Sequence, residues 1–249
     1  MIKHVFLGLA LTVAVTGSAL AQAPRAAGSG LNGALTKLFG ENTAFSADIV
    51  LQMETAEGKP TVLPGKMAFN GGDSRLEINL ANAKGNSIGT DFADRMKSMG
   101  MDTTVTISRP EKKIAYLIYP GLSAYIETKL QTGDAKPTTA YKVTSTELGA
   151  ETIDGHPCIK NKVVVTDDEG NSHESTVWNA TDLKKFPLKI ATSESGLATT
   201  MVFSHVDTAK PAAALFDPPS KFKKYDNKQT LIVEEMKKHI ATPAPPARP

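Results

Sequence analysis

From Phe45 to Glu54 the side chains sort by parity: Phe45, Ala47, Ile49, Leu51 and Met53 fall on one side, Ser46, Asp48, Gln52 and Glu54 on the other, with Val50 the single exception. A period of two is that of a β-strand with one buried and one wet face. The pattern returns from Lys66 to Asn70 and again from Arg75 to Leu80, where Leu76, Ile78 and Leu80 alternate with Arg75, Glu77 and Asn79. Asn70-Gly71-Gly72-Asp73 between them predicts a hairpin turn. Further strands are predicted over Thr104 to Ser108, Lys113 to Tyr119, Ala124 to Thr128, Tyr141 to Leu148, Cys158 to Thr166, His173 to Trp178, Phe186 to Thr192 and Thr199 to Val206. In Ile114-Ala115-Tyr116-Leu117-Ile118 neither parity is polar, which predicts a strand covered on both sides. A polar loop around Gly133 to Pro137 and a tight turn at Asp167 to Asn171 separate some of these runs. Short strands at regular spacing, with no internal repeat, predict a mainly β protein built on an antiparallel sheet.

Three segments change the period. Ser29 is placed to cap a short helix in which Leu31, Leu35 and Leu38 form one apolar stripe. Thr90 or Asp91 starts a second, whose Phe92, Met96 and Met99 share a face and which Gly100 stops. A third is predicted over Lys228 to Ile240, with Ile232, Met236 and Ile240 at steps of four. Residues Ala241 to Pro249 are rich in proline and alanine and predict a disordered or polyproline tail.

The start of the chain carries a different signal. Lys3 and His4 precede an apolar run from Val5 to Val15, and Ser18-Ala19-Leu20-Ala21 supplies the small-residue pair of a signal-peptidase site. Residues 1–21 are therefore expected to be a secretory signal cleaved after Ala21, leaving a periplasmic or secreted protein. No run approaches the ~20 apolar residues of a transmembrane anchor. The expected organisation is one β domain over 22–227, the amphipathic helix over 228–240 and the tail over 241–249. Composition narrows the partners: 28 basic and 26 acidic residues nearly cancel, and no basic stripe marks a nucleic-acid surface. Lys221, Lys223 and Lys224 cluster in Lys221-Phe222-Lys223-Lys224-Tyr225, read as a solvated charged turn. The single cysteine, Cys158, has no partner for an internal disulfide, so stability must come from a hydrophobic core.

Motifs that could carry chemistry have simpler readings. Gly28-Ser29-Gly30-Leu31-Asn32-Gly33 matches the dinucleotide-binding spacing, but it follows no strand and opens no βαβ unit, so no cofactor is expected. His156, Cys158, His173 and His205 lack close ligand spacing, and no metal site is expected. Cys158 reads as a buried, inert thiol and Asp167-Asp168-Glu169 as a charged hairpin tip. With no nucleophile elbow or paired carboxylates to be argued, the chain does not read as an enzyme.

Three stretches carry a resemblance. They are Leu148-Gly149-Ala150-Glu151-Thr152-Ile153-Asp154-Gly155-His156-Pro157-Cys158-Ile159-Lys160, then Val177-Trp178 with Asp182 and Phe186-Pro187-Leu188-Lys189, then Leu215-Phe216-Asp217-Pro218-Pro219. This pattern resembles exported bacterial proteins of the periplasmic outer-membrane lipoprotein-carrier (Lol-type) superfamily, close to a family in it of unassigned function. The resemblance spans roughly Thr43 to Tyr225. It implies a strongly curved antiparallel sheet, a half-open barrel, whose concave apolar face is closed by short helices. It also implies structural roles: Gly155 for a turn, Trp178 for a core anchor, Pro187 for an edge position, and Phe216-Asp217-Pro218 for closing the last strand. The function so implied is noncatalytic binding or transport of a lipid, a lipoprotein acyl chain or a similar apolar ligand in the cell envelope. The alternative is a periplasmic protein-interaction or sensory module that receives an envelope protein partner. The methionines suit an adaptable apolar contact. The expected ligand-binding residues are Leu31, Leu35, Leu38, Ile49, Leu51, Phe92, Met96 and Met99, with Met101 beside them.

Overall fold

A computed structural model describes residues 33–55, 60–85, 90–130, 141–194 and 197–241. Twelve strands form one sheet. In chain order they are β1 (Ala44–Thr55), β2 (Thr61–Asn70), β3 (Asp73–Asn79), β4 (Thr103–Arg109), β5 (Ile114–Tyr119), β6 (Ala124–Lys129), β7 (Lys142–Ile153), β8 (His156–Thr166), β9 (Ser172–Ala180), β10 (Pro187–Glu194), β11 (Leu197–Asp207) and β12 (Lys223–Tyr225). Their order across the sheet is β12-β6-β5-β4-β3-β2-β1-β11-β10-β9-β8-β7. β12 and β7 are its two edges, so the sheet is open rather than a closed barrel. Among the described residues three α-helices accompany it: α1 (Gly33–Lys37), α2 (Thr90–Ser98) and α3 (Lys228–Ala241).

Local chemistry sets the register. Asn70 pairs with Asp73 across Gly71 and Gly72, whose positive φ angles are those of a two-residue hairpin. Asp154 and Gly155 make the equivalent turn between Ile153 and His156, which is the turn role the resemblance assigns to Gly155. At the β8–β9 tip, Asp167 Oδ1 accepts hydrogen bonds from the backbone N–H groups of Glu169 and Asn171.

The alternation of β1 defines two faces. Phe45, Ala47, Ile49 and Leu51 lie on an inner face beside Phe69, Met67, Gly65 and Leu63 of β2. Phe203 and Met201 of β11, Ile190 of β10 and Val177 of β9 continue it. This face curves around the segment Ala34–Phe39, which joins it in one continuous cluster reaching Val163 and Val165 of β8. Val50, the exception in the pattern, sits on the outer face between Pro64 and Val202.

β5 is covered on both sides, as expected. Ala115 and Tyr119 are buried inward, Tyr116 and Ile118 outward. The outward cover is a strap leading to β12: Phe216, in the 3-10 turn Ala213–Phe216, is 1% exposed against Ala68, Val105, Ile107, Tyr116 and Ile118. Arg109 ties the strap down, donating from Nε to Asp73 Oδ2 (3.1 Å) and from Nη1 to Asp217. Burial pushes the Asp73 carboxyl up, against the lowering pull of Arg109.

Four expectations need correction. The sheet is mixed: Lys223–Tyr225, read as a charged turn, is a strand that pairs in parallel with β6. β2 begins at Thr61, upstream of Lys66; it tolerates Pro64 because the β3 ladder stops at Gly65–Ile78 and asks Pro64 for no N–H. Pro187 is not on an edge strand. It opens the interior strand β10 beside a register shift, a first-residue position where a missing N–H is harmless. On α3, among the residues whose burial is described, Leu231 is buried and Ile232 only half-buried, and Glu235 is buried too, accepting a hydrogen bond from Tyr225 Oη (3.1 Å); the burial of Met236 and Ile240 lies outside the described residues. The polar loop around Gly133 to Pro137 and the tail beyond Ala241 lie outside the described residues.

Candidate functional site

Helix α1 and the turn after it occupy one half of the inner face. Leu38 and Phe39 are 8% and 1% exposed, and Leu35 is half-buried. The Phe39 ring lies 4.8 Å from Phe45, 5.8 Å from Phe69, 5.9 Å from Phe186 and 5.7 Å from Phe203, centroid to centroid. Stacked, tilted and edge-on rings at these distances pack as a close aromatic cluster. Ile49 and Leu51 lie under it, 1% and 7% exposed. This end of the face is filled by the chain itself. Leu31 and the cap at Ser29 lie outside the described residues.

The other half, over β4, β5, β6 and β12, is covered by α2 and α3. Met101, Tyr119, Ala124, Ile126, Tyr225 and Leu231 are buried there, with Met96, Met99, Leu117, Leu122 and Ile232 half-buried against them. Burial pushes the Tyr119 phenol up, as expected where the surroundings are apolar. Phe92, expected on the face of Met96 and Met99, is instead 36% exposed. The C-terminus of α2 is held by backbone contact. A Cβ on Gly121, in the turn after β5, would stand 2.5 Å from the Gly100 carbonyl oxygen, so two glycines let the chains touch.

Between the two covers runs a band of half-buried apolar side chains: Met53, Leu76, Ile78 and Leu80 at the margin of the aromatic cluster, and Leu117 at the margin of the methionine cluster. Gly65 shapes it, since a Cβ there would stand 2.9 Å from Ile78 Cδ1 and 2.2 Å from the Glu77 carbonyl oxygen. The alternation of Leu76, Ile78 and Leu80 was visible in the sequence. That these side chains stay only half covered depends on where the helices end, which no local pattern reports.

The outer face away from the strap is mixed, with Val50, Pro64 and Val202 on it among polar residues such as Gln52 and Lys66. Trp178 is buried at 5% exposure, but on this side, between the stems of Lys160 and Lys189, whose Nζ atoms lie 5.1 and 4.4 Å from its ring centroid. Its Nε1 donates to Glu151 Oε2 (2.8 Å), and Lys160 pairs with Glu151 Oε1 (2.9 Å). Lys160, then Trp178, hold the Glu151 carboxyl below the ordinary range.

His156 Nδ1 is 2.9 Å from Asp182 Oδ2, and the Cys158 thiol donates to the His156 carbonyl oxygen (3.5 Å), not to its ring. Cys158 is 1% exposed and burial pushes its thiol up, which disfavours the nucleophilic thiolate. Among the described residues no three His, Cys, Asp or Glu side chains gather as a metal site. No described helix is long and apolar enough to cross a membrane.

No family model matches the chain, and no curated protein matches it. Among solved structures the chain is similar to a LolA superfamily protein from Nitrosomonas europaea, at 11% identity and TM-score 0.41, over 74% of this chain and 94% of that one. It is similar to the lipoprotein LppX of Mycobacterium tuberculosis, at 10% identity and TM-score 0.38, over 72% and 93%. A third is LprF of Mycobacterium bovis, at 12% identity and TM-score 0.39, over 73% and 91%. These likenesses are loose, and the functional reading rests on this chain's own residues.

Proposed function

We propose that the protein is a noncatalytic binder of a lipid or lipoprotein acyl chain, acting in the cell envelope after export, and that the ligand lies on the inner face between the aromatic cluster and α2. The half-buried band of Met53, Leu76, Ile78, Leu80 and Leu117 carries this reading. Apolar side chains left partly uncovered beside a helix held by Met96 and Met99 gain from an apolar guest, at ~0.8 kcal/mol for each methylene taken from water. Thioether side chains adapt to guests of different shape. The helix is nine residues long and amphipathic, short enough to depend on its packing for stability, and so able to act as a lid.

Met96→Asp tests the lid. A carboxylate placed among half-buried apolar groups opposes burial of an acyl chain; the expected result is at least a tenfold weaker dissociation constant for a fluorescent fatty-acid probe, with only a small fall in thermal midpoint. Equal affinity in variant and parent contradicts a ligand under α2.

A second reading, the protein-interaction module, is favoured by β7. This strand is exposed along nearly all of its length, with Val143 and Leu148 at 44% and 54%, and among the described residues it pairs only with β8. An open edge offers unpaired backbone groups to an added strand. The register shift at Glu147/Gly149 twists that edge and restricts what can pair there.

A further inference from the structure

β4 is reversed against its neighbours. On the inner face Leu76 and Ile78 of β3 and Leu117 of β5 are apolar, but the three inward positions of β4 between them are Thr104, Thr106 and Ser108. Its apolar residues, Val105 and Ile107, face outward under the strap. Leu76, Thr106 and Leu117 stand side by side on three strands, so the hydroxyl row runs through the half-buried band. Ser108, one pleat further along the strand (~7 Å), lies between Ser74 of β3 and Ala115 of β5. Ser74, Thr106 and Ser108 are 2%, 5% and 1% exposed, and Ser108 Oγ has no hydrogen-bond partner among the described residues. The other buried side-chain oxygen there without one, Thr61 Oγ1, is also at an inward position, opposite Met53 of the band. A buried hydroxyl without a partner costs stability, which points to a group from outside the chain that completes it.

Charge narrows what that group is. Among the described residues the inward positions of β1 to β6 carry no charged side chain, and the one buried charged residue, Glu235 of α3, is itself a carboxylate. A free fatty-acid head drawn onto the row would lose its water and meet no cation. We infer that the ligand is a neutral long-chain ester whose carbonyl oxygen accepts a hydrogen bond from Ser108 Oγ, a step that rests on the acyl-chain reading above. The ester keeps the methylenes that the band covers, removes the charge and supplies the acceptor that Ser108 lacks. Its chain then lies over Thr106 between Leu76 and Leu117, toward the methionine cluster. Ser108 is thus a residue that selects esterified over free acyl chains.

Infrared spectra of bound methyl dodecanoate, isotope-labelled at its carbonyl, read the contact directly. In the parent the carbonyl band is expected below its position in an alkane solvent. In Ser108→Ala it is expected to return toward that position, with affinity about fivefold weaker, the size of one neutral hydrogen bond. The thermal midpoint of ligand-free Ser108→Ala is expected not to fall, because the variant removes an unpaired hydroxyl; a lowered midpoint with an unmoved band would make Ser108 a structural residue and overturn the inference. Free dodecanoate, and dodecyl methyl ether, which lacks the carbonyl, are expected to bind more weakly than the ester. An ester held with the same band and affinity in parent and variant, or an acid or ether that binds as well as the ester, overturns the inference and leaves the acyl site standing. Failure of all three probes to bind overturns both.

Discussion

Replacing Phe39 by alanine lowers the stability of the folded protein by ~3–5 kcal/mol, the range for deleting a large buried aromatic side chain. The ring is 1% exposed and meets four other phenylalanine rings contributed by β1, β2, β11 and the turn before β10. It belongs to the short segment that follows α1, not to the sheet, so its loss reports whether that segment is a fixed part of the core. Urea unfolding of parent and variant checks this. A loss in the stated range means that α1 permanently fills its half of the inner face and that ligand space is confined to the band beside α2. A loss below about 1 kcal/mol would mean that the segment is displaced in solution, and the aromatic half would then be open to a ligand as well.

Trp178→Ala is the second large effect, again ~3–5 kcal/mol by urea unfolding followed in the far ultraviolet. The cause differs. Trp178 is an anchor on the outer face, sealed by the methylene stems of Lys160 and Lys189 and fixed at Nε1 by Glu151. Long cationic side chains cover apolar surface while their charge stays in water, and the ring gains a cation–π contact on top of burial. Trp178→Phe keeps most of the buried area and gives up the Glu151 hydrogen bond, so it should recover most of the loss. A change below about 1 kcal/mol in the alanine variant contradicts an anchor role.

These two residues show what the sequence could and could not say. Parity assigned β1 to its faces and β5 to burial on both sides, because each strand's pattern is long enough to read without a neighbour. Trp178 follows Val177, so two adjacent apolar residues left its face undecided until β9 was set beside β8 and β10. The Leu31, Leu35, Leu38 stripe overlaps the segment that lies on the inner face, yet Phe39, which meets four other rings as Phe45 does, follows the helix and lies off that stripe. β12 is three residues long among lysines and is a strand only because β6 lies alongside in parallel. The strap was marked by Phe216-Asp217-Pro218, but its partners Arg109 and Asp73 are more than a hundred residues upstream.

The central claim is that an acyl chain occupies the inner face beside α2. It is tested most directly by native mass spectrometry, with lipid extraction, on mature protein purified from its own cell envelope without detergent. The account predicts a stoichiometric co-purifying lipid whose mass and acyl composition can be read from the extract, and whose occupancy falls in Met96→Asp. Bare protein that also fails to take up an added acyl probe would contradict it, and would turn attention to β7 and a strand-forming protein partner.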